Sequence, residues 1–172
     1  YRNLAATYDR KGNTEAAIGA LEKALVLEPK NAEVLTSLGT LAVKVNKPEK
    51  AREYFKQAAA TGTGNADVHL NLGVVLYNSK QYGEALTEFE QAVQLNPDSV
   101  DSQFYLGLAQ IKAGKKKEAD ATLKKVVALK PDYADAYREL GDLAMERKAY
   151  KDAEKYYNLE EKYKGKAPGK KK

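Results

Sequence analysis

The sequence predicts an all-α protein built as an array of five stacked helical hairpins. Three observations carry this reading: a 34-residue repeat, apolar residues at helical spacing inside every repeat, and a turn near the middle of each. The repeat is seen most plainly at Asn71-Leu72-Gly73-Val74-Val75-Leu76-Tyr77. A glycine inside such an apolar helix costs about 1 kcal/mol relative to alanine, so something has to offset it. Gly39, Gly107 and Gly141 stand in the same register, with Ala5 one step earlier, and each follows a leucine. Two more columns share that register: Ala17, Ala51, Ala85, Ala119 and Ala153, then Leu21, Phe55, Phe89, Leu123 and Tyr157. Small residues recurring at one position mark a close helix crossing. The glycines are therefore expected to face the alanine column, with Phe55 and Phe89 filling the space beside it.

Taken in order, the first unit (1–31) is truncated. Tyr1 lies inside a helical pattern, so its first helix is expected to be short and completed by upstream residues of a longer precursor. The second unit (32–65) has Thr63 between two glycines where Pro29, Pro97 and Pro131 close other units. The third (66–99) reads as a helix over about 66–79, a turn at Lys80-Gln81 and a helix over about 82–95. Asn96-Pro97-Asp98 then breaks the chain, since proline cannot continue a helix and Asn or Asp can cap the next one. The fourth unit is 100–133. The fifth (134–164) ends in Glu160 and Glu161, which predicts a last helix facing water as a cap. Residues 165–172 form a basic tail, expected to be mobile, and the rest one continuous solenoid domain.

These columns resemble those of the tetratricopeptide repeat family, whose unit follows W-x2-L-G-x2-Y, A-x3-F and P. The best match is 66–99, with Leu72, Gly73, Ala85, Phe89, Ala92 and Pro97. The family's tryptophan position reads Tyr1, Leu35, His69, Gln103 and Tyr137, and its tyrosine position keeps only Tyr8. The resemblance implies a right-handed α-solenoid and a non-enzymatic protein-binding role.

Composition narrows the classes further. No apolar run approaches the length needed to span a membrane, so membrane insertion is not expected. Cysteine is absent, which leaves the compartment open between cytoplasm and bacterial periplasm. The net charge of +5 sits at the C-terminus, where six lysines after residue 160 oppose Glu161 alone. The body is neutral, and Lys115-Lys116-Lys117 lies at a turn without interleaved aromatics, so nucleic-acid binding is disfavoured. His69 reads as a packing histidine with no indicated carboxylate or nucleophile partner. Thr61-Gly62-Thr63-Gly64-Asn65 lacks the strand and Gly-Lys-Ser/Thr of a phosphate loop. Asp135, Glu139, Asp142 and Glu146 share one helix face, a poor geometry for a cation that needs converging oxygens. No catalytic residue, metal, cofactor or small-molecule substrate is expected.

In the family, the first helix of each hairpin lines a concave groove that takes peptides or protein segments. The resemblance carries that role to Leu70, Asn71, Val74, Tyr77 and Asn78 in the third unit. In the fourth it falls on Phe104, Tyr105, Leu108, Ile111 and Lys112, and in the fifth on Arg138, Glu139, Asp142, Met145 and Glu146. The second unit offers mostly Thr36, Ser37, Thr40, Val43 and Lys44, so the groove is expected to be polar at its start. The expected ligand is a protein segment with apolar or aromatic anchors and a basic residue toward Asp142 and Glu146. The chaperone-tail clamp of the family is missing, since Asp67, Asp101 and Asp135 stand where cations would help. The alternative is an assembly scaffold that associates with itself or other domains through its ends or outer face.

Overall fold

Each repeat folds as two antiparallel helices because its turn and its loop are both chemically specified. The structure, a computed structural model, describes residues 1–62 and 65–165. Ten helices run through these: α1 (Arg2–Arg10), α2 (Thr14–Leu27), α3 (Ala32–Lys44), α4 (Pro48–Ala60) and α5 (Ala66–Asn78). They continue as α6 (Tyr82–Leu95), α7 (Val100–Lys112), α8 (Lys116–Leu129), α9 (Ala134–Glu146) and α10 (Tyr150–Tyr163). No strand occurs among the described residues. The third unit breaks where expected, and α1 is the short helix. Thr63 and the tail from Lys166 onward lie outside the described residues. The chain falls into two compact units, Tyr1–Asn96 with three hairpins and Pro97–Lys172 with two.

The turn inside each hairpin follows one backbone rule. The amides of Asn13, Lys47, Gln81, Lys115 and Ala149 donate to the carbonyls of Tyr8, Ala42, Leu76, Gln110 and Ala144 at 2.8–2.9 Å. This six-to-one bond closes a helix C-terminus and requires a left-handed residue just before the donor. Gly12 and Gly114 fill that position freely, whereas Asn46, Lys80 and Lys148 adopt φ of 55°, 61° and 61°. For lysine this conformation is strained by about 1–2 kcal/mol. The tyrosine column therefore matters through its carbonyl, which explains why only Tyr8 keeps the family's side chain.

Loops between hairpins are set by caps. Asn31 and Asn65 accept amides of the following helices, at 3.0 Å from Val34 and 2.9 Å from Asp67. After Pro97 the cap is Ser99, which accepts from the Ser102 amide at 3.2 Å. The sequence expectation of Asn or Asp at that loop is corrected by one position. Proline leaves Asp98 too far from the helix start, and the serine hydroxyl reaches instead. Gln103 and Tyr137, both in the tryptophan column, donate to the carbonyls of Pro97 (2.8 Å) and Pro131 (3.1 Å). At these two positions the column ties the loop to the helix that follows it.

In the first unit, Ala17, Leu21 and Ala24 of α2 meet Val34, Leu38 and Leu41 of α3, and Leu35 joins Ala58 and Val68. In the second, Ala119, Leu123 and Val126 of α8 meet Ala136, Leu140 and Leu143 of α9. The glycine column is buried, but its nearest neighbour is not the alanine column. A Cβ on Gly39 would lie 2.6 Å from the Phe55 ring, and one on Gly73 would lie 2.5 Å from Phe89. Gly107 and Gly141 stand in the same way against Leu123 and Tyr157. The large column needs the room because Phe55, Phe89, Leu123 and Tyr157 lie directly against the opposing backbone, so each glycine and its large partner form a matched pair.

The last helix is a cap of mixed character. Ala153 is its one fully buried residue, and Glu161 is exposed. Glu160 is mostly covered and 3.8 Å from Lys164. Tyr163 stacks on Tyr137 at 5.9 Å, so the end is closed by aromatic faces as well as by charge.

Candidate functional site

First-helix residues of each unit form the candidate site, and the two units are described in turn. In the first unit a cavity of about 1020 Å³ lies among α1, α2 and α3. Arg2, Asp9, Glu33, Thr36, Ser37 and Thr40 contribute its polar lining. Arg2 pairs with Glu33 across it, and Lys44 reaches Asp9 at 2.7 Å. Thr36, Ser37 and Thr40 each donate to the carbonyl four residues back, a bond that leaves hydroxyl lone pairs turned outward. Leu70, Asn71, Val74 and Tyr77 of α5 are half-buried, and Asn78 is exposed. Tyr77 meets the edge of Tyr82 with centroids 5.2 Å apart, which fixes its ring.

His69 does have a carboxylate partner. Its Nδ1 lies 2.8 Å from Glu88 Oε2, bridging α5 and α6 where both side chains are mostly covered. The sequence did not show this, because the two residues are on different helices and only the hairpin brings them together. The pair clamps the hairpin.

In the second unit, Tyr105, Leu108 and Ile111 are half-buried and Lys112 is exposed. Leu108 and Ile111 pack along the edge of the core while keeping part of their surface open. Phe104 is different. It is only 8% exposed, and its ring lies 4.9 Å from Tyr133 within the core cluster. The expectation that Phe104 lines the open groove is therefore corrected. Its position in α7 points toward α8 and α9, not outward.

Tyr133 was not singled out in the sequence. Burial pushes its phenol up to about 12, and Asp101, Asp135 and Tyr105 add to the shift. Lys130 sits 5.1 Å from the centre of its ring. The result is an aromatic corner of Phe104, Tyr105 and Tyr133 bordered by charge of both signs.

The acidic face of α9 is partly neutralised from within. Arg138 lies 3.3 Å from Glu139 and 3.4 Å from Asp135, and Lys116 reaches Glu146 at 2.7 Å. Asp142 accepts the Tyr157 hydroxyl at 2.8 Å, a bond that raises the phenol pKa. Asp142, Arg138 and Glu146 remain exposed, as does Met145 at 45%. Among the described residues no group of three or more His, Cys, Asp or Glu has metal-binding geometry, and no helix is long and apolar enough to cross a membrane.

The tetratricopeptide repeat profile matches residues 2–66, 36–100 and 105–169, and a second profile of the same description matches 76–128. The chain belongs to the tetratricopeptide repeat family. No curated protein matches it closely. Among solved structures it is similar to MamA, with 25% identity over 96% of this chain and 97% of that one, and a TM-score of 0.90. PilF of Pseudomonas aeruginosa is 30% identical, covering 96% of this chain and 75% of that one, with a TM-score of 0.82. YrrB, described as a repeat protein with an unusual peptide-binding site, is 25% identical over 95% of this chain and 84% of that one, with a TM-score of 0.86. Membership makes the chain an all-α repeat array of the protein-interaction kind.

Proposed function

We propose that this chain is a non-catalytic module that holds a segment of another protein against the first-helix faces of its repeats. The observation that carries the reading is the half-open apolar row of Tyr105, Leu108 and Ile111 on α7, with exposed Met145 on α9 and acids beside it. Exposed apolar surface rimmed by polar groups costs solubility, and contact with a protein segment repays that cost. The peptide-binding site named for YrrB supports the same class of ligand. The segment places aromatic or aliphatic side chains on this row and a basic residue toward Asp142 and Glu146. Val74 and Tyr77 of α5 offer a second apolar foothold in the first unit, beside the polar cavity of α1 to α3.

Fluorescence anisotropy with a labelled peptide carrying aromatic and lysine residues tests this. Ile111→Asp combined with Met145→Asp should weaken binding at every ionic strength. A buried anchor worth about 2 kcal/mol corresponds to roughly thirtyfold in affinity. Glu146→Lys should act mainly at low salt, where exposed charges are least screened. Binding that survives both changes would overturn the reading.

A further inference from the structure

The second unit carries opposite charges on its two edges. At the hairpin turns, residues 112–118 and 146–152 hold Lys112, Lys115, Lys116, Lys117, Arg147, Lys148 and Lys151 against Glu118, Glu146 and Asp152. Lys116 pairs with Glu146 and Arg147 with Asp120, both at 2.7 Å, so the two turns lie side by side. Lys112, Lys115, Lys117, Lys148 and Lys151 make no ion pair among the described residues; Lys115 and Lys148 precede a helix start, and Lys117 and Lys151 lie in the first turn. Neither α8 nor α10 has a side-chain N-cap. Positive charge there opposes the helix dipole, and no side chain caps the first turn, although the Lys116 amide donates to the Gly114 carbonyl at 3.0 Å.

The opposite edge is one helix length away. It holds Asp98, Asp101, Asp132 and Asp135 against Lys125, Lys130 and Arg138, with Lys125 paired to Asp98 at 3.8 Å and Arg138 to Asp135 at 3.4 Å. The Phe104 and Tyr133 rings lie 4.9 Å apart, which places the two loops together. Asp101 and Asp132 have no ion pair among the described residues. Both edges repeat once per hairpin, so they have the same spacing. A lateral shift of one molecule past another brings the lysines into register with the aspartates.

We propose that the basic turn edge of the second unit docks against the acidic loop edge of the same unit in a second copy of this chain. The partner's aspartates would supply the side-chain acceptors that the starts of α8 and α10 lack. A nucleic acid is the poorer occupant, because Glu118, Glu146 and Asp152 stand among these lysines and Tyr150 is the single aromatic side chain within the two turns.

Sedimentation of the full chain over a concentration series tests the proposal. At about 20 mM salt the average mass should rise with concentration, and at about 500 mM it should return to that of the monomer, because exposed pairs are screened. Lys115→Glu with Lys117→Glu should abolish the rise. Both changes suit a helix N-terminus, so circular dichroism should be unaltered. Asp101→Lys with Asp132→Lys should abolish it too, and the milder Asp101→Asn with Asp132→Asn should weaken it. An equimolar mixture of the two charge-reversed proteins should associate again, since each restores the sign the other lacks. A wild type that stays monomeric at low salt overturns the proposal, as does a mixture that fails to associate. Binding of polyglutamate without self-association would assign the edge to another acidic protein and equally overturn it.

Discussion

In the second hairpin the Gly39 backbone lies against Phe55, a ring that is 1% exposed. In the last hairpin Gly141 lies against Tyr157, which is half-exposed and turns its hydroxyl to Asp142. The two contacts occupy the same column and are equally close, with a Cβ falling 2.6 Å from one ring and 2.5 Å from the other. They differ in what lies behind the ring. The helix carrying Phe55 is packed against α5, whereas no described helix follows α10. An enclosed ring is best as phenylalanine, because a buried hydroxyl would need a partner. A ring at the edge is best as tyrosine, with an apolar body toward the core and a polar tip toward water. One repeat position thus serves as sealed core or as finished surface, depending on its neighbours.

The comparison can be broken most directly by removing the rings. Phe55→Ala leaves a closed cavity and should cost about 3–5 kcal/mol in urea denaturation. Tyr157→Ala, open to water on one side, should cost less than half as much. Phe104→Ala should behave like Phe55→Ala, because its ring is in the core. Equal losses at positions 55 and 157 would remove the distinction.

Adding a methyl group to the glycines comes next. Gly39→Ala meets a ring that cannot move and should cost about 1–3 kcal/mol through overpacking, and Gly73→Leu that much or more. Gly141→Ala should cost less, since Tyr157 can swing toward solvent. Losing the tip alone is milder. Tyr157→Phe gives up the hydrogen bond to Asp142, worth about 0.5–1.5 kcal/mol, and its exposure puts it at the lower end.

The turns sharpen the same point with the opposite sign. Lys148→Gly should raise stability by up to about 1 kcal/mol, because glycine takes the left-handed conformation freely. Gly114→Ala in the preceding hairpin should lower it.

The smallest effect concerns pH. Burial pushes the Asp120 carboxyl upward, but hydrogen bonds and charge from Lys124 and Arg147 outweigh it and hold it below its ordinary range. A depressed carboxylate stabilises the fold above its unfolded pKa, and that contribution is lost as pH falls through the folded value. Asp120→Asn should therefore lower the melting temperature slightly at neutral pH and flatten its decline under acid conditions.

The sequence alone determined the hairpins, because their signals are local: apolar spacing sets each helix, and proline, asparagine and glycine set its ends. It also determined which residues recur at close contacts, since a 34-residue period places Gly73 and Phe89 in fixed columns whatever the surroundings. Tertiary structure decided what each column touches. Glycine meets the ring instead of the alanine because the large side chain lies across the opposing backbone, a matter of rotamer and crossing that spacing does not encode. His69 gains Glu88, and Phe104 turns into the core while Leu108 and Ile111 stay partly open, because burial depends on the neighbouring helices and not on the residue's own helix. Leu108 and Ile111 were legible as candidates because the family's groove columns fall on them, and Tyr133 was not: it occupies the cap column of Asn31, Asn65 and Ser99, and only the fold brings its ring against Phe104.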